Sequence, residues 1–250
     1  MMEGFSLRSA DAIVVTTPAD RDFIAERHHL DADRITIVPN PIDIEVFHPD
    51  RSPENPYEKT PIEDDDGILT IGRLVPEKNL LSLITAMTSI NTATLHIVGS
   101  GPEESDLRSM AGSNVKFLGR VSNSDIPDLH RHAQVFVLAS RYEGSPKALL
   151  EAMACGKAVV GADSPGIREV IEDGVNGLLV PGEAGALAEA INRLLGDKAL
   201  RSRLGAAARQ YVVTANSEAA SVALERVLIR RLVGKGRDVN TDQQGDGDGI

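Results

Sequence analysis

Two glutamates, Glu143 and Glu151, bracket a segment whose residue types are typical of a helix start. Ser145 is a favourable N-cap residue, and Pro146 suits the first helical position. A helix N-terminus presents free N–H groups and partial positive charge, so it binds phosphate groups. Carboxylates beside an anion site are unusual unless each accepts hydrogen bonds from hydroxyl groups. A ribose and a second sugar would supply such hydroxyl groups. Either glutamate alone is more simply explained as a solvated helical carboxylate.

Two cations follow an apolar stretch earlier in the chain. Arg73 and Lys78 come directly after residues 68–72, which are predicted to form a buried strand. The planar guanidinium of arginine suits phosphate oxygens, and lysine supplies a point charge. The alternative is a strand-to-helix loop with two solvated cations, and these residues alone do not decide between the two.

Gly99 and Gly101 follow the next apolar stretch, residues 94–98. Glycines at such a point permit close approach of the backbone to a ligand. The motif lacks the full dinucleotide-binding pattern, so a tight turn is the simpler explanation unless the other clusters form a site.

The elements that would position these residues alternate regularly. Predicted strands and helices follow one another, which indicates an α/β fold with a doubly wound parallel sheet covered on both faces. In such sheets ligands bind beyond the carboxyl ends of the strands, where the clusters above lie. The predicted strands are 68–72, 94–98, 115–118, 134–138, 158–161 and 177–180, and the helices are 79–90, 102–111, 125–132, 146–155, 166–172 and 183–196.

The predicted elements before residue 68 and after residue 196 alternate less regularly. A strand at 11–15, a helix at 18–29 and a strand at 35–38 precede an exposed loop at 49–66 that is rich in Pro, Asp and Glu. Helices at 198–211 and 217–233 precede a tail, 234–250, that is predicted to be disordered.

Composition narrows the function. The net charge of −11 and an aromatic content of 3% argue against binding of nucleic acid. A single cysteine excludes an internal disulfide, and Cys155 is predicted to be a small buried residue rather than a nucleophile. The six histidines form no metal-ligand pattern, and His130 and His132 are predicted to lie at the surface. Without a signal peptide pattern or a membrane span, we predict a cytoplasmic protein, with peripheral membrane attachment left open.

In this order the motifs resemble a known family. Residues 67–211 look like the C-terminal domain of glycosyltransferase family 4, the group 1 glycosyl transferases, which have the GT-B fold. The likeness rests on IGRLVPEKN, LHIVGSGP, VKFLGRV, VFVLASRYEGSPKALLEAMACGKAVVG and GIREVIEDGVNGLLVP. Residues 1–48 resemble the end of the family's first domain and its linker, with Pro41 where glycine is usual.

The resemblance implies a role for each matching residue. Arg73 and Lys78 match the diphosphate-binding cations, and Glu143 matches the carboxylate that contacts the donor sugar; these three are the predicted catalytic residues. Glu151 matches the ribose-binding carboxylate. The remaining predicted donor-binding residues are Gly99 and Gly101, Gly119, Arg120 and Val121 beside the base, and Gly144, Ser145, Pro146 and Lys147 near the phosphates.

The resemblance also implies a reaction. The chain is expected to be the donor domain of a retaining glycosyltransferase that takes a UDP- or GDP-hexose, needs no cofactor or metal, and serves an unknown sugar or lipid-linked acceptor. Two alternatives stay open: a nucleotide-sugar-binding module or split-enzyme subunit that pairs with a separate acceptor domain or dimerises, and a sugar-nucleotide epimerase. The expected division is 1–48 first-domain remnant and linker, 49–66 loop, 67–211 donor domain, 212–233 C-terminal helix and 234–250 tail.

Overall fold

A computed structural model describes residues 2–50 and 67–241, with side chains described for 6–50 and 67–233. The predicted loop 49–66 therefore lies mostly outside the described residues. The chain divides into two compact units: the larger comprises Ile42–Ser217, and the smaller comprises the residues before Ile42 together with those after Ser217. The residues of the predicted linker after Pro41 belong to the larger unit, and the predicted C-terminal helix belongs mainly to the smaller one.

A parallel six-stranded sheet forms the centre of the larger unit, in the order β5-β4-β3-β6-β7-β8. The chain starts at the middle of the sheet, builds outward to β5, returns to the middle at β6 and builds the other way. The direction of winding therefore reverses between β3 and β6. The strands are β3 (Gly67–Ile71), β4 (Thr94–Val98), β5 (Val115–Gly119), β6 (Val135–Leu138), β7 (Ala158–Ala162) and β8 (Leu178–Val180).

Helices cover both faces of this sheet, which confirms the predicted doubly wound α/β class. Within β6, Val135 and Val137 belong to one hydrophobic cluster while Phe136 and Leu138 belong to the other. Side chains alternate between the two faces of a strand, so a strand that is apolar throughout needs cover on both. The helices are α3 (Leu80–Ala86), α4 (Glu104–Met110), α5 (Ile126–His132), α6 (Lys147–Ala154), α7 (Ala184–Gly196) and α8 (Lys198–Ala215).

Helix α8 contributes to both clusters. Its first half places Leu200 and Leu204 in the cluster that contains α3 and α7, and its second half places Ala208 and Val212 in the cluster that contains α5 and α6. Between them, Gly205 approaches the carbonyl oxygen of Gly156 so closely that a Cβ there would collide with it. One helix thus joins the two layers.

One predicted helix, 166–172, is absent and was wrong. The segment forms turns instead, because side chains take the backbone hydrogen bonds that a helix would have used. Asn176 accepts a hydrogen bond from the Glu172 amide through its side-chain oxygen and donates its amide to the Val170 carbonyl, while Asp173 accepts from the Leu179 amide.

The smaller unit contains the predicted strand–helix–strand. Strands β1 (Ile13–Val15) and β2 (Ile35–Ile37) pair in parallel, with α2 (Pro18–His28) between them in sequence. Helix α1 (Met2–Ser9), which was not predicted, precedes them. Helix α9 (Glu218–Thr241) extends beyond the predicted 233, so residues 234–241 are helical rather than disordered, and 242–250 lie outside the described residues.

Candidate functional site

Backbone hydrogen bonds join the loops that follow β3, β4 and β5. The amide of Gly72 donates to Val98 O at 3.0 Å, that of Leu74 to Ser100 O at 3.1 Å, and that of Gly99 to Gly119 O at 2.7 Å. Three of the sequence clusters are therefore held together at one edge of the sheet, as the parallel topology requires.

The two glycines after β4 have a packing reason to be glycine. Gly99 has a φ of 134°, and a Cβ at this position would collide with the Gly72 carbonyl oxygen. A Cβ at Gly101 would collide with the backbone of Leu74. The tight-turn explanation therefore accounts for both residues, and their contact with a ligand stays a prediction.

Lys78 and Glu143 form the centre of the candidate site. Lys78 Nζ lies 2.6 Å from Glu143 Oε1, and the buried Ser140 hydroxyl donates to the same oxygen at 2.6 Å. The two side chains are 24% and 11% exposed. The Lys78 stem passes over Gly72, whose added Cβ would lie 3.6 Å from Lys78 Cε. A cation and a carboxylate 65 positions apart in sequence are thus neighbours.

The backbone of Glu143 is fixed by the loop after β7. Its amide donates to Pro165 O at 3.1 Å, and its carbonyl oxygen lies only 2.0 Å from the position that a Cβ of Gly166 would occupy. Gly166 has a φ of 81°, which is the left-handed region that favours glycine. Gly166 was not among the predicted site residues, and the Pro165-Gly166 pair was the available signal for a sharp turn.

Asn79 and Arg141 tie the β3 loop to the β6 loop. Asn79 stands at the N-cap position of α3, with a φ of 53° and no side-chain cap bond. Its side-chain amide donates to Gly182 O at 2.8 Å, while its side-chain oxygen accepts from Ser82 and from Arg141. The Arg141 amide donates to Glu77 O at 2.8 Å. These contacts fix the position of Lys78 relative to Glu143, and no sequence pattern predicts them.

Arg73 differs from Lys78 in having no ion-pair partner in the described part of the chain. It is exposed, whereas Lys78 is half-buried. Arg73 is therefore available to an anion without breaking an existing contact.

The start of α6 lies one residue later than predicted. Pro146 occupies the N-cap position, and Ser145 accepts the Lys147 amide through its carbonyl oxygen rather than capping with its hydroxyl. The prediction that Ser145 is the N-cap was wrong, because the hydroxyl finds no amide at the geometry that Pro146 imposes. Gly144 has open space beside its Cα, as does Gly119, where a φ of 69° ends β5. Arg120 is exposed, and Val121 packs against the α5–α6 cluster.

Glu151 lies on the buried side of α6. The residue is 9% exposed, its Oε1 lies 3.8 Å from Lys147 Nζ, and its Oε2 lies 4.0 Å from His130 Nε2. Burial raises the pKa of the Glu151 carboxyl from 4.5 to about 6, and Lys147 opposes that shift. The carboxylate is therefore ionised at neutral pH and protonated in mild acid.

His130 and His132, predicted to lie at the surface, are both buried, so that prediction was wrong. His130 is 0% exposed and packs against Phe47 and Phe136, while His132 Nδ1 lies 2.7 Å from the Asp128 carbonyl oxygen. Helix α5 turns this face inward because Leu129 and Ile126 on it pack into the core. No three His, Cys, Asp or Glu residues within 2–50 and 67–241 are grouped to hold a metal ion.

Cys155 is 1% exposed, which confirms the prediction that it is buried. Burial raises the pKa of its thiol to about 12, so it stays protonated and does not act as a nucleophile. Of the helices that the structure describes, none has the length and apolar character to cross a bilayer.

A polar cavity of about 320 Å³ opens beyond the ends of β6, β7 and β8. None of the sequence-predicted site residues lines it. Ser140, whose hydroxyl contacts Glu143, is in its wall. The residues that line it are Asn79, Ser82, Ala139, Ser140, Arg141, Ala162, Asp163, Ser164, Gly182 and Glu183.

Comparison with known proteins identifies the family. The sequence profile described as "Glycosyl transferases group 1" matches residues 52–211. The GDP-mannose-dependent monoacylated alpha-(1-6)-phosphatidylinositol monomannoside mannosyltransferase of Corynebacterium glutamicum is 35% identical over 194 residues, which is 70% of this chain and 50% of that protein. The chain spans about half the length of this relative and of a related mannosyltransferase of Mycobacterium tuberculosis.

Solved structures share the fold. Sucrose-phosphate synthase of Thermosynechococcus elongatus superposes with a TM-score of 0.77 at 28% identity, covering 93% of this chain and 61% of that one. Anabaena HepE in complex with UDP superposes with a TM-score of 0.79 at 25% identity, covering 91% of this chain and 65% of that one. The profile match over most of the larger unit, with these relatives, shows that the chain belongs to the group 1 glycosyl transferase family and carries the C-terminal domain of a GT-B fold.

Proposed function

We propose that this chain provides the donor half of a retaining glycosyltransferase, which binds a UDP- or GDP-hexose and transfers the hexose to a hydroxyl acceptor. The observation that carries the proposal is the Lys78–Glu143–Ser140 cluster at the carboxyl edge of the sheet. The proposal includes both uracil and guanine nucleotides, since one relative is named as GDP-mannose-dependent and one structural neighbour contains UDP.

The donor would lie along this edge in a defined direction. Glu151, behind the first turn of α6, accepts the ribose hydroxyls, and Gly119 to Val121 face the base. The diphosphate lies between the start of α6 and the cations Arg73 and Lys78. Glu143 then faces the hexose.

Lys78 changes partner in this scheme. In the structure it neutralises Glu143 at 2.6 Å. A diphosphate would attract the ammonium group more strongly, because the negative charge on the leaving group grows as the glycosidic bond breaks. Ser140 keeps one hydrogen bond to Glu143, whose carboxylate is then free to accept hydroxyl groups of the sugar. Arg73 reaches the same phosphates without giving up a contact.

The test is calorimetry of the purified chain with UDP, GDP, UDP-glucose, GDP-mannose and inorganic diphosphate. We expect one nucleoside diphosphate and its sugar to bind best, and diphosphate alone to bind weakly. Charge reversal at the site, Arg73→Glu, should abolish nucleotide binding. The matched control is Lys198→Glu. Lys198 is exposed at the start of α8. The chain reaches this point after α7 has run back from the carboxyl ends of the strands, so the variant carries the same charge change away from the candidate site. Equal binding by wild type and Arg73→Glu would contradict the proposal.

A second candidate is a binding module or split-enzyme subunit without transferase activity of its own. It is favoured by one observation: all the proposed donor-binding residues lie in the larger unit. Donor binding and transfer are therefore separable properties. Nucleotide binding without release of hexose to lipid or sugar acceptors, and recovery of transfer when an acceptor domain is added, would favour this candidate. A stable glycosylated product formed by the chain alone, with its anomeric configuration determined by NMR, would favour the glycosyltransferase.

A further inference from the structure

His130 is a buried polar side chain that packing alone does not explain. Its ring is fully buried between Phe47 and Phe136, with ring centroids at 6.2 Å and 5.3 Å. Within the described residues neither ring nitrogen has a hydrogen-bond partner. A buried donor without a partner destabilises the fold, so an apolar ring would fill this space at lower free energy.

The carboxylate of Glu151 lies beside this ring. His130 Nε2 lies 4.0 Å from Oε2 of Glu151, while Lys147 Nζ lies 3.8 Å from Oε1. The carboxylate thus stands between a buried imidazole and an ammonium group whose side chain is 67% exposed. A shift of roughly 1 Å would bring Oε2 within hydrogen-bond distance of Nε2.

The charges around the pair favour this contact. Burial, with Lys157 and Arg131 nearby, lowers the pKa of His130 to about 3, so the imidazole is neutral and offers one N–H donor. Glu151 is ionised above pH 6, and Lys147 faces it from the same helix. Cys155, whose amide donates to the Glu151 carbonyl oxygen, is a neutral thiol. A neutral donor beside a carboxylate needs no proton transfer to form a hydrogen bond.

We infer that His130 is a positioning residue for nucleotide recognition, whose Nε2–H donates to Oε2 of Glu151 and leaves Oε1 to accept the ribose hydroxyls. The inference rests on the proposed function in assigning ribose to Glu151. Oε1 is the oxygen on the side of the exposed Lys147, which is the side that a ligand reaches. Binding closes the gap between Oε2 and Nε2, because a carboxylate held by two hydroxyl groups loses its freedom to turn away.

The experiment compares ligands with and without ribose hydroxyls. UDP and GDP are titrated by calorimetry beside their 2′,3′-dideoxy analogues, using wild type, His130→Phe and His130→Gln. We expect His130→Phe to bind the ribose ligand about three- to tenfold more weakly, as for the loss of one hydrogen bond of ordinary net strength, and to bind the dideoxy analogue unchanged. His130→Gln keeps an N–H donor and should keep most of the preference for ribose.

Two further variants make the result specific. His132→Phe is the matched control: it lies on the same helix, is also buried and has its own backbone contact, so it should leave the preference for ribose intact. In a Glu151→Gln background, His130→Phe should cause no further loss. Equal losses for ribose and dideoxy ligands, or full additivity with Glu151→Gln, would overturn the inference.

The N–H dipole of His130 also acts on Glu151 without ligand, across the 4.0 Å that separates Nε2 from Oε2. A donor that faces the ionised carboxylate lowers its pKa, so the ¹³C titration midpoint of Glu151 should rise in His130→Phe and return towards wild type in His130→Gln. An unchanged midpoint overturns the inference even if nucleotide binds as proposed. Failure of the wild type to bind UDP and GDP, with a midpoint that does rise, would overturn the ribose assignment and the proposed function but leave the His130–Glu151 contact established.

Discussion

Glu143 lies in the loop before α6, and Glu151 lies within α6. The two side chains are almost equally buried, but their hydrogen-bond partners differ. Glu143 accepts hydrogen bonds from Lys78 and Ser140, both at 2.6 Å. The groups nearest to Glu151 are 3.8 Å and 4.0 Å away, and burial raises its pKa to about 6. Removing a carboxylate from water is unfavourable unless partners replace the water. Glu143 therefore has its partners within the chain, whereas Glu151 has none at hydrogen-bond distance from its side chain, and in the proposed function the ribose hydroxyls would supply them.

The largest expected effect concerns the interior behind Glu151. His130 is neutral with a pKa of about 3 in the fold but titrates near 6.5 when unfolded, so the unfolded chain binds more protons as the pH falls. This group should remove about 3 kcal/mol of stability between pH 6.5 and 4. Urea unfolding of wild type and His130→Phe at both pH values measures it. His29→Asn, at an exposed left-handed position, is the control; if it flattened the pH dependence as much as His130→Phe does, the assignment would be wrong.

The next effect separates the two cations. Arg73→Ala and Lys78→Ala should each weaken nucleotide binding by about 1.5–3 kcal/mol, the range for charge-assisted hydrogen bonds. Only Lys78→Ala should also destabilise the fold, because it leaves Glu143 without its cation. Calorimetry gives the first quantity and urea unfolding the second, with Lys198→Ala as the control for both. Similar loss of stability in the two variants would erase the distinction between a paired and an unpaired cation.

Glu151 should oppose His130 in its pH dependence. Its folded pKa of about 6 exceeds its usual 4.5, so the folded state binds the proton more tightly and stability falls as the pH rises through this range. The contribution is about 2 kcal/mol. Relative to wild type, Glu151→Gln should therefore raise the free energy of unfolding more at pH 7 than at pH 4.5, as measured by urea unfolding. Glu189→Gln, at an exposed site on α7, should not change the slope; a slope unaffected by Glu151→Gln would mean that the carboxylate is better solvated than its burial indicates.

The smallest effect divides the ligand between the two carboxylates. Glu151→Ala should weaken nucleotide and nucleotide-sugar alike, by about 1.5–2 kcal/mol, the lower end of the range for hydrogen bonds to a charged group. Glu143→Ala should weaken only the sugar-bearing ligand. Paired titrations with a nucleoside diphosphate and its hexose measure the split. The same loss for both ligands in both variants would show that the two glutamates do not have separate roles.

The sequence predicted the sheet and its edge well, because near-continuous apolar strands and intervening helices leave few arrangements for β3 to β8. It failed at 166–172, where Asn176 and Asp173 take backbone hydrogen bonds that helix periodicity does not register. It also failed at the α6 start, where Pro146 displaces Ser145 from the N-cap position.

The site was predicted as separate clusters rather than as a geometry. Spacing along the chain placed Lys78 and Glu143 at the same edge but gave no sign that they contact each other. Asn79, Arg141 and Gly166 act through backbone carbonyls, and which carbonyl lies nearby depends on tertiary structure. His130 was predicted to lie at the surface because the histidines show no metal-ligand pattern. Only the packing of Leu129 and Phe136 shows that it lies inside.

Helix α8 has a consequence for how the larger unit opens. Because it carries Leu200 and Leu204 in one layer and Ala208 and Val212 in the other, neither layer can separate from the sheet without disturbing the other. Amide protons of β3 and β6 should therefore exchange with solvent only through the same global opening event, whichever layer their helices belong to. A bulkier side chain at Gly205, where α8 crosses Gly156, would speed exchange on both sides of the sheet together.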